Sequence, residues 1–486
     1  MLGALLVLAF APFYLWPLAI LAPAGLFWLN RDESSLLRLF ASGWLFGIGY
    51  FGFGVYWIYN SLHDFGMASP LVAGGITGLM AIYLALTPGL ILVGWGYAQR
   101  LLGNRGLWLL PPLWFGLEWF KGWFGTGMPW LSLGYSQTPS PLAGFAPLVG
   151  VYGIGALCIL MAVALIVAVR ERSYPMLALK LAMILVIPLS GWLLQQLEWS
   201  EPVAQPLKVT MVQGNIPQQL KWRRDQRQNI FNTYWRETGR HWDSDLIIWP
   251  ETALPGQSRD IETELLAPMQ AAALENDSVI ISGLVFAGET QNQFFNSVIQ
   301  LGRERGLYHK RHLVMFGEYY PMRWLLDLLS GVISIPYSDL SAGPDEQALM
   351  QVDGLQLGVS ICFEDVFSRD VQLALPHANL LVNLSNDAWF GNSTAPHQHM
   401  QIAQMRSLET ERVMMRATNT GITAFIDHKG RVLSVSEQFK TQSITEVVQG
   451  RSGVTPFFYF ARVQWLVALL PFALLLLLAL RKAKAG

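Results

Sequence analysis

The sequence predicts a membrane α-helical bundle of about eight transmembrane helices joined to an α/β soluble domain. Three observations carry this. First, 52% of the residues are apolar and only 14% charged, against about 25% charged in an ordinary soluble domain. Second, the deficit is local: residues 1–195 hold 13 charged side chains, and the remaining 291 residues hold 54. Third, from residue 207 long apolar stretches give way to short apolar runs bounded by turn residues.

A helix needs about 20 apolar residues to span a bilayer. Such stretches fall near 1–12, 14–30, 37–59, 68–97, 107–123, 143–169, 177–195 and 460–480. The first is short and starts at Met1, but it lacks a basic n-region and a small-residue cleavage site, so it is read as a helix rather than a cleaved signal. Arg31 and Arg38, then Arg100 and Arg105, then Arg170, Arg172 and Lys180 fall in alternate loops, and the tail RKAKAG is basic. Basic loops stay cytoplasmic. The expected organisation is therefore helices 1–7 over residues 1–195, a domain at 196–459 in the periplasm or outside the cell, and a last helix with a cytoplasmic tail at 460–486. Trp57, Tyr59, Trp108, Trp130 and Tyr135 crowd the span ends as interfacial anchors. Glu118 and Lys121 fall in or beside one span, three residues apart. They either pair on one helix face or meet a lipid headgroup.

In the soluble part LKVTMVQGNI, DLIIWPE, SVIISGLVF, FFNSVIQL, LQLGVSICFE, ANLLVNLS and GITAFID read as buried strands. Helical stretches run through RDQRQNIFNTYWRETGRH, ELLAPMQAAALE and MQIAQMRSLETERVMMRAT. Alternating strands and helices argue a layered α/β fold.

Such folds keep their chemistry at strand ends. Glu251 follows LIIW, Cys362 ends LQLGVSI, and Lys310 follows the turn after FFNSVIQL. Singly, each has a plain reading: a capping carboxylate, a solvated amine, a small buried hydrophobe. Together, a carboxylate, an amine and a thiol can make a covalent acyl-transfer site. Cys158 lies in an apolar run far from Cys362, so no disulfide is expected. No Cys/His cluster has ligand spacing, and the pair His397 and His399 is too sparse, so neither metal nor other cofactor is expected. A net charge of -1 gives no reason to expect nucleic acid.

At QGNIPQQLKW, WPETALP, YHKRHLVMFGE, SICFED and LSNDAWFG the chain resembles the nitrilase (carbon-nitrogen hydrolase) superfamily. With its helices it resembles that superfamily's membrane-embedded branch, the apolipoprotein N-acyltransferases, over nearly its whole length. The resemblance implies a nitrilase-like αββα sandwich with Glu251, Lys310 and Cys362 as catalytic triad. It implies supporting places for Glu318, Phe363 and Glu364, and pocket places for Trp222 and Trp389. Met315 stands where a proline is common and is expected to loosen the loop after Lys310. Phe363 stands where a tyrosine is often found, keeping an aromatic wall without a hydroxyl.

In that reading Glu251 is the general base for the Cys362 thiol. Lys310 favours the thiolate, then donates to the oxyanion beside the N–H that follows Cys362. The implied partners are a phospholipid acyl donor, sn-1 of phosphatidylethanolamine, and a diacylglyceryl-apolipoprotein acceptor. The implied place is a bacterial inner membrane, and nothing demands more than a monomer. The apolar segment 319–337, with Trp324, Leu325, Leu328, Leu329, Val332 and Ile333, is expected to dip into the outer leaflet and gate lipid entry. Two rivals are a membrane-tethered amidase using the same triad and a transporter or lipoprotein-binding receptor.

Overall fold

The computed structural model describes residues 1–170, 174–290, 292–319 and 339–485. The chain forms two compact units: Met1–Asp64 with Ser69–Trp199 and Thr455–Gly486, and Phe65–Ala68 with Ser200–Val454.

The first unit is helical. Among the described residues four stretches are long and apolar enough to cross a membrane: Leu36–Gly54, Pro70–Lys121, Pro141–Val169 and Pro456–Lys484. Leu18–Leu29 and Ile184–Leu194 are shorter apolar helices. Pro70–Lys121, 52 residues long, takes in three helices, so four stretches are not four spans. Residues 1–12 supply only the helix Leu2–Leu6 and a 3-10 turn Val7–Ala9, ending where Phe10 turns extended. That is about 12 Å of helix against roughly 30 Å of hydrocarbon. The expected single span 68–97 is two helices, Pro70–Leu84 and Leu86–Leu102. Pro88, in the first turn of the second, has no N–H to offer the Leu84 carbonyl.

Glu118 and Lys121 close the helix Leu110–Lys121, both buried. Each bonds the main chain of the following loop. The Lys121 ammonium donates to the Trp130 carbonyl at 3.2 Å, and Glu118 accepts from the Leu133 N–H at 2.8 Å. Tyr50 donates to the Leu131 carbonyl at 2.6 Å, between them. Non-helical backbone at membrane depth needs such internal partners, because lipid offers none.

The second unit holds fifteen strands among its described residues. They are β1 (Glu201–Pro202), β2 (Leu207–Gln213), β3 (Leu246–Ile248), β4 (Leu254–Gln257), β5 (Val279–Ala287), β6 (Phe294–Leu301), β7 (Gly306–His309), β8 (Met350–Val352), β9 (Leu355–Ile361), β10 (Leu380–Ser385), β11 (Met414–Thr418), β12 (Ala424–Ile426), β13 (Val432–Val435), β14 (Gln442–Val448) and β15 (Arg451–Ser452). One large sheet has the order β14-β2-β3-β5-β6-β7 with β4 on β5; a second runs β13-β12-β11-β10-β9-β8; β1 and β15 form a two-stranded pair. The central strands β2-β3-β5 and β9-β10-β11 are parallel and the flanking ones antiparallel.

Side-chain alternation decides the layers. Leu246 and Ile248 point with Val209 and Met211 into a core shared with Leu357, Val359, Val382, Leu384 and Met415 of the second sheet. Ile247, Val212 and Ile280 point the other way, onto Ile230 and Tyr234 of the helix Arg227–Thr238 and Met269 of the helix Ala267–Glu275. The helix Ala395–Thr410 packs on β11 and β12 from the far side. The order is helix, sheet, sheet, helix, as the family resemblance implies.

All seven expected strands are present. The helix expected through MQIAQMRSLETERVMMRAT is not continuous. It stops at Thr410, Glu411 takes a left-handed φ of 49°, and Met414–Thr418 becomes β11 between β10 and β12. Met415 and Ala417 fill the inter-sheet core while Arg416 faces the other side. Alternation across five residues wins over a helix-favouring composition. Trp324, Leu325, Leu328, Leu329, Val332 and Ile333 lie outside the described residues.

The polar ties of the membrane unit make one prediction. Lys121→Met leaves the Trp130 carbonyl without its donor, which should cost about 1–3 kcal/mol. A lowered thermal midpoint of the purified protein in detergent is the expected result; an unchanged midpoint means the loop does not depend on the tie.

Candidate active site

Three strand ends bring the expected residues together. β3 ends in the turn Trp249-Pro250-Glu251-Thr252. Thr252 sits at a φ of 46°, and Gly283 of β5 lies against the turn so closely that a Cβ there would meet Thr252 N at 2.5 Å and Glu251 Cα at 2.7 Å. Glycine is required at 283 to let the two chains touch. Lys310 directly follows β7, the last strand of a β5-β6-β7 meander, rather than a turn after β6. Cys362 follows β9 and opens the 3-10 helix Cys362–Val366, with a left-handed φ of 51°. A non-glycine residue held there carries strain of order 1 kcal/mol, which the surrounding bonds must hold.

The charges interlock. Lys310 is 1% exposed. Its ammonium lies 2.9 Å from Glu318 Oε1 and 3.8 Å from Glu251 Oε1. Asn296 Nδ2, from β6, donates to both carboxylates, at 2.7 Å to Glu251 and 2.8 Å to Glu318. Burial works against the ammonium, but Glu318, Glu251 and Cys362 together hold its pKa above the ordinary lysine range. Glu318 Oε2 also accepts from the Val314 N–H at 2.8 Å. The loop after Lys310 is closed by its own main chain: Phe316 N bonds Tyr319 O and Glu318 N bonds Val314 O. These bonds do not depend on the side chain at 315.

The half-buried Cys362 thiol feels Glu251, Lys310, Asp387 and Glu318. Burial, then Glu251, pushes its pKa well above the usual thiol range, and Lys310 pulls the other way. Lys310 thus favours the thiolate in sign but not in sum. The resting thiol keeps its proton, so attack requires a base.

Glu364 joins the two loops. Its Oε1 accepts from the N–H groups of Arg311 (2.6 Å) and His312 (3.2 Å), beside Lys310. Its Oε2 accepts from Ile361 N–H (2.6 Å), beside Cys362, and from the Tyr308 hydroxyl (2.9 Å). Burial raises its pKa to about 7, while the backbone donors pull down. Phe363 packs edge-on to Phe367, centroids 5.1 Å apart, and Phe367 stacks on His312 at 3.6 Å. Trp222 is 53% exposed and lines a cavity of about 730 Å³ with Arg223, Arg224, Arg227, Phe294 and Leu340; that lining holds none of Glu251, Lys310 or Cys362. Trp389 stands edge-on to Phe65 at 5.6 Å. Trp324, Leu328 and Leu329, the other expected lipid contacts, are not among the described residues.

Several groups at the site escaped the sequence reading. Asn383 donates to the Cys362 carbonyl at 3.1 Å and is held in turn by Arg416 at 2.8 Å. Arg416 also meets Asp387 at 2.8 Å, and His399 bridges Asp365 (2.8 Å) and Asp387 (3.1 Å). Two buried carboxylates thus occupy His399, and His397 contacts Gln438. Lys221 and Asn296 were also passed over. An amide inside FFNSVIQL and a lysine in a short loop carry no pattern of their own. The one available signal was a polar residue amid a buried strand, which has to be paired.

Two family models match the chain: that of the apolipoprotein N-acyltransferase N-terminal domain over residues 2–164, and that of the carbon-nitrogen hydrolases over residues 208–456. The second covers the strands that carry Glu251, Lys310 and Cys362. Curated relatives align along almost the full length. An apolipoprotein N-acyltransferase of Methylococcus capsulatus is 40% identical, covering 94% of this chain and 90% of the relative. One of Nitrosomonas europaea is also 40% identical, covering 94% and 92%. One of Coxiella burnetii is 37% identical, covering 93% and 94%. With both the helical unit and the two-sheet sandwich accounted for in single relatives, the chain belongs to the apolipoprotein N-acyltransferase family.

Proposed function

We propose that this protein carries a fatty acyl chain, as a thioester on Cys362, from a phospholipid to the N-terminal amine of a diacylglyceryl-cysteine lipoprotein. The observation that carries this is the convergence of Glu251 and Glu318 on the buried Lys310 ammonium, in the electrostatic neighbourhood of a half-buried thiol. The relatives' name supplies the acyl acceptor, and the sequence resemblance implies sn-1 of phosphatidylethanolamine as donor.

Glu251 takes the thiol proton as sulfur attacks the ester carbonyl. The new oxyanion is met by the Lys310 ammonium and the Phe363 N–H; one such donor is typically worth about 3–4 kcal/mol. Collapse breaks the ester C–O bond, and the lysophospholipid leaves with the proton from Glu251. The acceptor amine then attacks the thioester, Glu251 takes its proton, and the thiol is released. Glu318 orients Lys310, and Glu364 keeps the Lys310 loop against the Cys362 loop. Phe363 walls the site, and Trp222 and Trp389 stand as exposed aromatic surfaces for lipid. In this reading residues 196–459 form a periplasmic catalytic domain, with 1–195 and 460–486 in the inner membrane of a monomer and a cytoplasmic tail.

Intact-mass analysis of protein incubated with phosphatidylethanolamine vesicles tests the reading. Wild type should gain one acyl chain that hydroxylamine removes. Cys362→Ala should gain none, and Lys310→Ala and Glu251→Gln should slow acylation at least about 10²-fold. Wild type free of any hydroxylamine-sensitive adduct would sink the proposal. Asn296 supplies a sharper comparison. Asn296→Asp sets a third carboxylate beside Glu251 and Glu318, so it should slow acylation more than Asn296→Ala, which only removes a shared donor. Equal rates in the two variants would mean that the shared amide does not manage charge.

A further inference from the structure

Lys221 ends the short helix Gln218–Lys221, on the loop that follows β2. That loop is pinned: Asn419 accepts from Ile216 N–H at 2.9 Å and donates to the Ile216 carbonyl at 2.8 Å, and Asn386 donates to Gln218 at 2.8 Å. The lysine is delivered to a fixed place, 2% exposed. Its ammonium donates to the main-chain carbonyl of Glu251 at 3.0 Å and, among the described residues, makes no ion pair. An ammonium buried with one neutral partner is costly unless negative charge lies near. The mechanism above gives it no task.

Its placement supplies one. The Glu251 turn is tight, with Thr252 left-handed and Gly283 against it. Lys221 grips this turn by the carbonyl, which leaves the carboxylate to Asn296, Lys310 and the thiol proton. Lys310 is drawn closer to Glu318 than to Glu251. We propose that Lys221 is a second cation of this site, a positioning residue that fixes the Glu251 turn through its main-chain carbonyl and whose charge supports the Cys362 thiolate. This deepens the acyl-transfer reading and rests on it only for the identity of the reaction. The ionisable groups that its ammonium feels are Glu251 and Cys362. Burial draws its pKa down to about 8, against the pull of those two groups, so it remains largely charged at neutral pH.

The test needs no lipid. Full-length protein in detergent is treated with iodoacetamide across a pH series, and alkylation is read on the Cys362 peptide by mass spectrometry; Cys158 is fully buried in the helix Ala146–Arg170. Lys221→Met removes charge and hydrogen bond, Lys221→Gln keeps a donor for the Glu251 carbonyl without charge, and Lys221→Arg keeps the charge. Removing a positive charge disfavours the thiolate. Below pH 8, where Lys221 is charged, alkylation of the Met and Gln variants should therefore be about tenfold slower than in wild type, with the gap closing as pH rises through 8, while the Arg variant keeps the wild-type rate below pH 8. The Gln variant decides the matter if the Met variant does not fold. Superimposed curves for the Gln variant and wild type, or an Arg variant displaced as far as Gln, overturn the proposal. A shift in these curves together with a wild type that never forms an acyl thioester would reject acyl transfer and leave the role of Lys221 standing.

Discussion

One buried ammonium keeps two carboxylates from repelling each other, and the site is arranged around that fact. Glu318 and Glu251 both reach toward Lys310 Nζ, at 2.9 and 3.8 Å. In a poorly solvated interior two unshielded carboxylates so placed would force one to take up a proton. The ammonium alone would suffer equally, since burial disfavours its charge. Each charge is tolerable because the others are present, and Asn296 completes the set by donating to both acids. The ammonium and the two acids are thereby tied into one set by short contacts and a shared amide.

The scaffold makes this arrangement cheap to hold. Glu251 follows β3, parallel to both its neighbours, and Cys362 follows β9, parallel to β10 and antiparallel to β8, so each emerges at a strand end of one of two stacked sheets. The Cys362 loop is fixed from behind by Asn383, which is fixed by Arg416, which is fixed by Asp387. Partners this well determined can hold the left-handed backbone at Cys362. In the membrane unit the same principle appears without chemistry: Glu118, Lys121 and Tyr50 meet main-chain groups that lipid could not.

The sandwich was legible because its central strands are apolar on both faces, and LIIW, GVSI and LLVN announce themselves without context. What stayed hidden depended on partners far along the chain. β11 is written in methionine, arginine and alanine, and only its position between β10 and β12 makes it a strand. β13 and β14 are largely unburied and so lack an apolar period. Glu251, Lys310 and Cys362 stood out beside their aromatic, proline and glycine neighbours. Asn296 and Lys221 did not, since each is defined by a carbonyl or carboxylate 30 or more positions away for Lys221 and on another strand end for Asn296. Helix ends in the first unit were less legible for a related reason: hydropathy records apolar length, but proline and short turns decide where a helix stops.

Glu364 has a consequence for how the site moves. One carboxylate grips the main chain beside the amine and the main chain beside the sulfur. Fluctuations of the two loops are then largely common-mode: displacement of one drags the other, and the gap between them varies less than either position. A bulky, mobile fatty chain can jostle such a site as a whole while the spacing that governs proton and acyl transfer stays nearly constant.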